Sequence, residues 1–179
     1  GVTFSVYKDS RGTEKIFPFC LVPRIVSAAD WNHLRRGLEQ RITALNLFLD
    51  DLYGDQRIFD ETAVPRELVL GAMGYLPKLR HVRPAGGVRV VIAGIVLIRD
   101  PDGVWRVLED NLRTPSGVSY VVENRLISKR IFPQIVDAAD VQRVDIYPVK
   151  LAETLRSVAP DGVYDPTIVV LTPGQYNSA

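Results

Sequence analysis

A single cysteine, Cys20, stands in a chain of 179 residues. Neither an internal disulfide nor a cysteine-based zinc site can be built from it. Charge of one sign is equally scarce: 22 Lys and Arg against 21 Asp and Glu leave a formal net charge of +1. That balance gives no electrostatic footprint for nucleic acid or for an anionic membrane surface. No apolar run approaches the ~20 residues that cross a bilayer. The first residues carry no secretory-signal pattern, so a cytoplasmic location is expected. Internal repeats and low-complexity tracts are missing too. What is present is 46% hydrophobic and 24% charged, a globular composition. The length suits one good core, or a domain and a half.

The most informative stretch is Val88–Gly117. Val88–Ile98 is rich in Val and Ile and predicts a buried strand. Asp100-Pro101-Asp102-Gly103 is a turn, and Val104–Leu108 predicts the returning strand of an antiparallel hairpin. That strand runs into Glu109-Asp110-Asn111. Side chains alternate along a strand, so Glu109 and Asn111 point one way and Asp110 the other. A carboxylate and an amide oxygen on one face suit Mg²⁺, which completes its shell with water or phosphate. Thr114-Pro115-Ser116-Gly117 follows as a turn able to offer hydroxyls and backbone N–H groups to an anion. Taken alone, E-x-N is a weak pattern, and a strand end facing water is the commoner outcome.

Along the rest of the chain, Gly1–Tyr7 alternates as a half-buried strand, Asp9–Gly12 reads as a turn, and Glu14–Phe19 as a returning strand limited by Pro18 and Pro23. Ser27–Asp30 forms a helix N-cap. Trp31, Leu34, Leu38, Ile42, Leu45, Leu49 and Leu52 then recur at helical spacing, which predicts a helix over Asp30–Tyr53 with Gly54 as its stop. Arg35, Arg36, Glu39 and Gln40 fall off this stripe, on a solvated face, and His33 reads as a surface residue. Pro65 opens a short helix through Leu70. Gly71–Gly87, with Lys78, Arg80, His81, Arg83 and then Arg89, reads either as a basic loop over an anionic ligand or as an ordinary connector, the commoner case. Val118–Ile131 and Tyr147–Ala159 predict helices, Gln134–Asp140 a short element of undetermined type, Pro160–Pro166 a linker, and Thr167–Leu171 a last strand.

Phe17-Pro18-Phe19 with Pro23-Arg24, Leu45-Asn46 with Leu52-Tyr53-Gly54, the run Leu108–Tyr120 with Glu123-Asn124-Arg125, and Leu171–Gly174 with Tyr176–Ala179 together resemble the bacterial circularly permuted ATP-grasp proteins. These are similar to glutathionylspermidine synthase. The likeness covers essentially the whole chain and implies an α+β fold. That fold is a mainly antiparallel sheet with flanking helices, part of a circularly permuted ATP-grasp architecture. Residues 1–160 would be the metal-binding portion, and 161–179 a linker and the first strand of a following, truncated domain.

The same resemblance implies an ATP- and Mg²⁺-dependent carboxylate–amine ligase, in which a phosphorylated small-molecule or peptide carboxylate is attacked by an amine. Glu109 and Asn111 would hold Mg²⁺, and Asn111 and Gly117 would face the nucleotide. Arg113 and Ser116 would contact the phosphoryl group. Two departures stand out. Val96 occupies the place of a metal-ligating Asp, and Cys20 stands where an Asp usually follows Phe-Pro-Phe. A two-residue loop at Pro101-Asp102 puts Val96 on the face of Glu109; a bulge at Gly103 reverses that parity. Loss of a ligand predicts weakened metal binding, and raises the alternative of a non-catalytic homologue acting as a binding or scaffolding module. The piece alone is expected to be inactive. Its uncovered C-terminal strand predicts a homo-oligomer or a need for the segment that follows.

Overall fold

The computed structural model describes residues 3–6, 13–16, 18–20, 22–60, 64–113 and 115–171. The chain divides into two compact units. One comprises residues 1–25, 120–145 and 167–179, and the other residues 26–119 and 146–166. Helices and antiparallel strands make both, so the fold is α+β.

In the first unit, β1 (Thr3–Val6) pairs antiparallel with β2 (Thr13–Ile16) in the register Thr3↔Ile16. The predicted strand residues Val2, Tyr7 and Phe17 and the Asp9–Gly12 turn lie outside the described residues. Pro18 and Phe19 are not strand, which falls short of the Glu14–Phe19 span expected from the sequence, because Pro cannot donate to a ladder. The helix α3 (Val118–Ile131) starts in the other unit and runs into this one. The next element, undetermined from sequence, is the helix α4 (Pro133–Ala138), with Pro in its first turn. Arg125 Nη1 donates to the Gln142 carbonyl at 2.6 Å, and Arg143 forks onto Asp145 with two contacts of 2.9 Å. That fork holds the Asp145 carboxyl below its ordinary range. Thr167–Leu171 is not a strand, contrary to its β-rich composition: it pairs with nothing among the described residues, and propensity supplies no ladder partner.

The second unit is organised on α1 (Ala28–Leu52), a helix of 25 residues. Ser27 Oγ accepts the Asp30 N–H at 3.1 Å, the cap expected from the sequence. Ser27→Ala is expected to cost about 1 kcal/mol of stability, read as a shift in the denaturation midpoint. Within the predicted stripe Leu34 and Leu52 are buried, and Leu38, Ile42, Leu45 and Leu49 are half-buried; Trp31 is exposed. Arg35 and Glu39 form an exposed i,i+4 pair, the solvated face foreseen. Tyr53 caps the helix, and a side chain at Gly54 would put its Cβ 2.9 Å from the Asp50 carbonyl oxygen. The short helix α2 (Arg66–Leu70) follows Pro65, and α5 spans Tyr147–Ser157.

The central hairpin is β3 (Gly94–Arg99) against β4 (Trp105–Asn111). It differs from the sequence expectation at both ends. β4 continues through Glu109, Asp110 and Asn111 instead of stopping at Leu108. Val88–Ala93 is not strand, because β4 ends opposite Gly94 and leaves it no partner. Instead Asn46 Oδ1 on α1 accepts the N–H groups of Arg89 (3.1 Å) and Val90 (3.0 Å), a side-chain substitute for ladder bonds.

Candidate functional site

The register of the hairpin decides which side chains share a face. Gly103 takes a left-handed φ of 82° and donates to the Asp100 carbonyl at 2.9 Å. The first paired residues are then Arg99 and Trp105, so the turn carries one residue more than a two-residue loop. That bulge reverses the parity. A further irregularity, between Val96 and Leu97, restores it: the register jumps from Leu97↔Val107 to Val96↔Glu109 and leaves Leu108 unpaired. Two slips of one residue return every side chain beyond them to its starting face.

One face therefore carries Ile95, Leu97, Arg99, Trp105, Val107 and Asp110. The opposite face carries Gly94, Val96, Ile98, Arg106, Glu109 and Asn111. The Trp105 face lies on α1, where Leu97, Trp105 and Val107 share a shallow groove with Leu34, Leu38 and Arg41. The Glu109 face is turned to solvent: Glu109 is exposed, Asn111 half-buried, and Val96 is 43% exposed. Glu109 and Asn111 thus sit on one outward surface, and Val96 lies directly across from Glu109.

The segment after β4 turns back onto this face. The Arg113 N–H donates to Asn111 Oδ1 at 3.2 Å. A Cβ built on Gly94 would lie 2.7 Å from Pro115 Cβ, so the Pro115 turn packs directly on the glycine. Arg113, Ser116 and Gly117 are all exposed there, and α3 opens at Val118, immediately after them. N–H groups in a first helical turn lack intrahelical partners and favour anions. Thr114 lies outside the described residues.

Asp110 has a partner that local sequence patterns did not disclose. Arg41, on α1, forks onto its carboxylate, with Nε 2.8 Å from Oδ1 and Nη2 2.5 Å from Oδ2. The guanidinium holds the Asp110 carboxyl below the usual carboxylate range, and the same hydrogen bonds raise Arg41 further. The available signal was an acid on the helix-facing side of the strand, which needs a cation, and an arginine beside the apolar stripe of α1.

The basic stretch resolves towards a connector tied to the C-terminal end of α1. Arg80 donates to the Gly54 carbonyl at 3.0 Å, and Arg89 contacts Asp50 at 2.9 Å while lying over the Tyr53 ring. Cations are favoured at a helix C-terminus. His81, Arg83 and Arg89 also line an open cleft of about 1000 Å³, shared with Asp50, Asp51 and Asp55. Among the described residues no three His, Cys, Asp or Glu side chains gather as a metal cluster, and no helix is long and apolar enough to cross a membrane.

The hairpin thus presents a carboxylate and an amide on one outward surface, beside a Pro-Ser-Gly turn and the first turn of α3. The chain belongs to the circularly permuted ATP-grasp type 2 family, which it matches over residues 23–179. It is 50% identical over 179 residues to a protein of Synechocystis sp., all of this chain but 37% of the relative. A Mycobacterium tuberculosis H37Rv protein is 49% identical over 179 residues, with 32% of its length covered. A Frankia casuarinae protein named "Putative glutamate--cysteine ligase 2-2" is 42% identical over 183 residues, which is 21% of it. The chain thus spans about a third of the first two relatives and about a fifth of the third.

Proposed function

We propose that this chain forms part of an ATP- and Mg²⁺-dependent carboxylate–amine ligase acting in the cytoplasm, with residues 1–160 as the cation-holding portion and 161–179 leading into a following domain. Family membership and the ligase name borne by Frankia relatives support an amide-forming reaction. The substrates of that reaction would be a small-molecule or peptide carboxylate and an amine, as the resemblance in sequence motifs to glutathionylspermidine synthase implies.

The observation that carries this reading is the shared outward face of Glu109 and Asn111. The donors fit a hard divalent cation: one carboxylate and one amide oxygen, with water and nucleotide phosphates to complete the shell. Bound Mg-ATP would supply the activated phosphoryl group, its charge neutralised by the cation. The chain's part is to orient. Glu109 and Asn111 would hold the cation, while Arg113, Ser116 and the Gly117 N–H would stabilise developing negative charge on the phosphate oxygens. Titration of the full-length protein with Mg-ATP by calorimetry tests the reading. Binding that survives intact when Glu109 is replaced counts against it.

A rival reading, a binding or scaffolding homologue without turnover, is favoured by Val96. Valine cannot coordinate a cation, and it stands directly across the ladder from Glu109. Val96→Asp is expected to raise Mg-ATP affinity by roughly tenfold, since affinity follows the count of charged ligands. It should also lower stability without metal, because like charges directly opposite repel, and Mg²⁺ should reverse that loss. Thermal midpoints with and without Mg-ATP check both; no change in either removes position 96 from the site.

A further inference from the structure

Glu109 and Asn111 occupy the weakest part of their hairpin. The sheet has two strands, the ladder is interrupted at Leu108, and it ends at Gly94↔Asn111. A bulge leaves the extra residue unpaired and disrupts the ladder locally, so backbone pairing alone holds the last three residues of β4 poorly. Something else must set the roll of the strand about its own axis, because that roll aims both side chains.

The helix beneath supplies it. Asp30 and Arg41 are 11 positions apart on α1, about 16 Å of helix at 1.5 Å per residue. Trp105 to Asp110 is five steps of strand, about 16 Å at 3.3 Å each. The two elements therefore keep pace along the hairpin. Asp30 meets Arg99, the ladder partner of Trp105, at 3.7 Å at one end. At the other end Arg41 meets Asp110, 69 residues away in sequence. The contact at Asp30 is a loose ion pair. The contact at Asp110 is a planar fork, which constrains direction as well as distance. Asp110 is the residue between Glu109 and Asn111, on the opposite face. Fixing its side chain from below fixes the tilt of both neighbours above.

We propose that Arg41 is a positioning residue for the cation-holding face: its fork on Asp110 sets the roll of β4 beyond the bulge, and so the direction of Glu109 and Asn111. This rests on the Mg-ATP reading above.

The test uses the full-length protein, with Mn²⁺ as a spectroscopic probe and ATP at fixed concentration. Arg41→Ala is expected to weaken Mn²⁺ binding about tenfold and to broaden the electron paramagnetic resonance signature of the bound ion. Partners behind metal ligands typically cost 10–100-fold when removed. Arg41→Lys keeps the charge but loses the fork, and should fall in between; it stands in if the alanine variant does not fold. The decisive comparison is in the Glu109→Ala background, where removing Arg41 should bring only a smaller loss, the part that acts through Asn111. Wild-type Mn²⁺ affinity in Arg41→Ala, or an equal extra loss in the Glu109→Ala background, overturns the positioning role while leaving the Mg-ATP reading in place. Failure of the wild-type protein to bind Mn-ATP, or indifference to Glu109→Ala, removes both.

Discussion

Glu109→Ala in the full-length protein is expected to weaken Mg-ATP binding by on the order of 100-fold, at the upper end of what loss of a supporting partner costs at a metal site. The reason is the poverty of the donor set. Among the described residues no three His, Cys, Asp or Glu side chains gather in one place, and Val96 fills the position across from Glu109. One carboxylate then carries the anionic share of the coordination. Glu109→Gln, which keeps an oxygen but loses the charge, should give an intermediate loss. Glu109 is exposed, so neither substitution should move stability by more than about 0.5 kcal/mol. Calorimetry for binding and thermal denaturation for stability separate the two effects. Equal loss of both would mean that Glu109 is structural.

Gly94→Ala should have the largest effect on stability, about 1–3 kcal/mol, as overpacking of a close contact does. Gly94 is the last residue of β3 to pair, opposite Asn111. Its added Cβ would stand 2.7 Å from Pro115 Cβ, far inside normal contact. A proline ring has no flexible end to swing aside, so either the turn carrying Ser116 and Gly117 lifts away or the end of the ladder opens. Both outcomes displace the phosphate-facing turn from Asn111, so Mg-ATP affinity should fall together with the melting midpoint. Gly117→Ala is the control for stability alone: a Cβ there meets nothing within 4 Å, and no left-handed φ demands glycine. A tolerant Gly94→Ala would show that the turn does not depend on this approach.

Local patterns were good guides wherever one segment's own chemistry decided the outcome. The α1 stripe from Leu34 to Leu52, its Ser27 cap, the start of a short helix after Pro65, and the full span of α3 each follow from spacing, capping and breakers. The strand over Val88–Ala93 failed because composition reports tolerance for a pleated surface, while a strand exists only where a partner is in reach. Asn46 took those N–H groups, an assignment 43 and 44 residues distant in sequence. The basic loop shows the same limit, since Arg80 and Arg89 are tied to the end of α1 by folding, not by proximity in the chain.

The face of Val96 marks the division most sharply. From sequence the answer hinged on whether the turn was bulged at Gly103. The structure contains that bulge and another slip at Leu108, and the two cancel. Order of residues alone determined the alternation that separates Asp110 from Glu109 and Asn111, because strand geometry has a period of two. It also determined the long helix and the turn chemistry at either end of the hairpin. Only the tertiary structure decided that Val96 faces Glu109, that Pro115 rests on Gly94, and that Arg41 grips Asp110. Each of these depends on register and on contacts between segments far apart in the chain, where a shift of one residue exchanges the two faces of a strand.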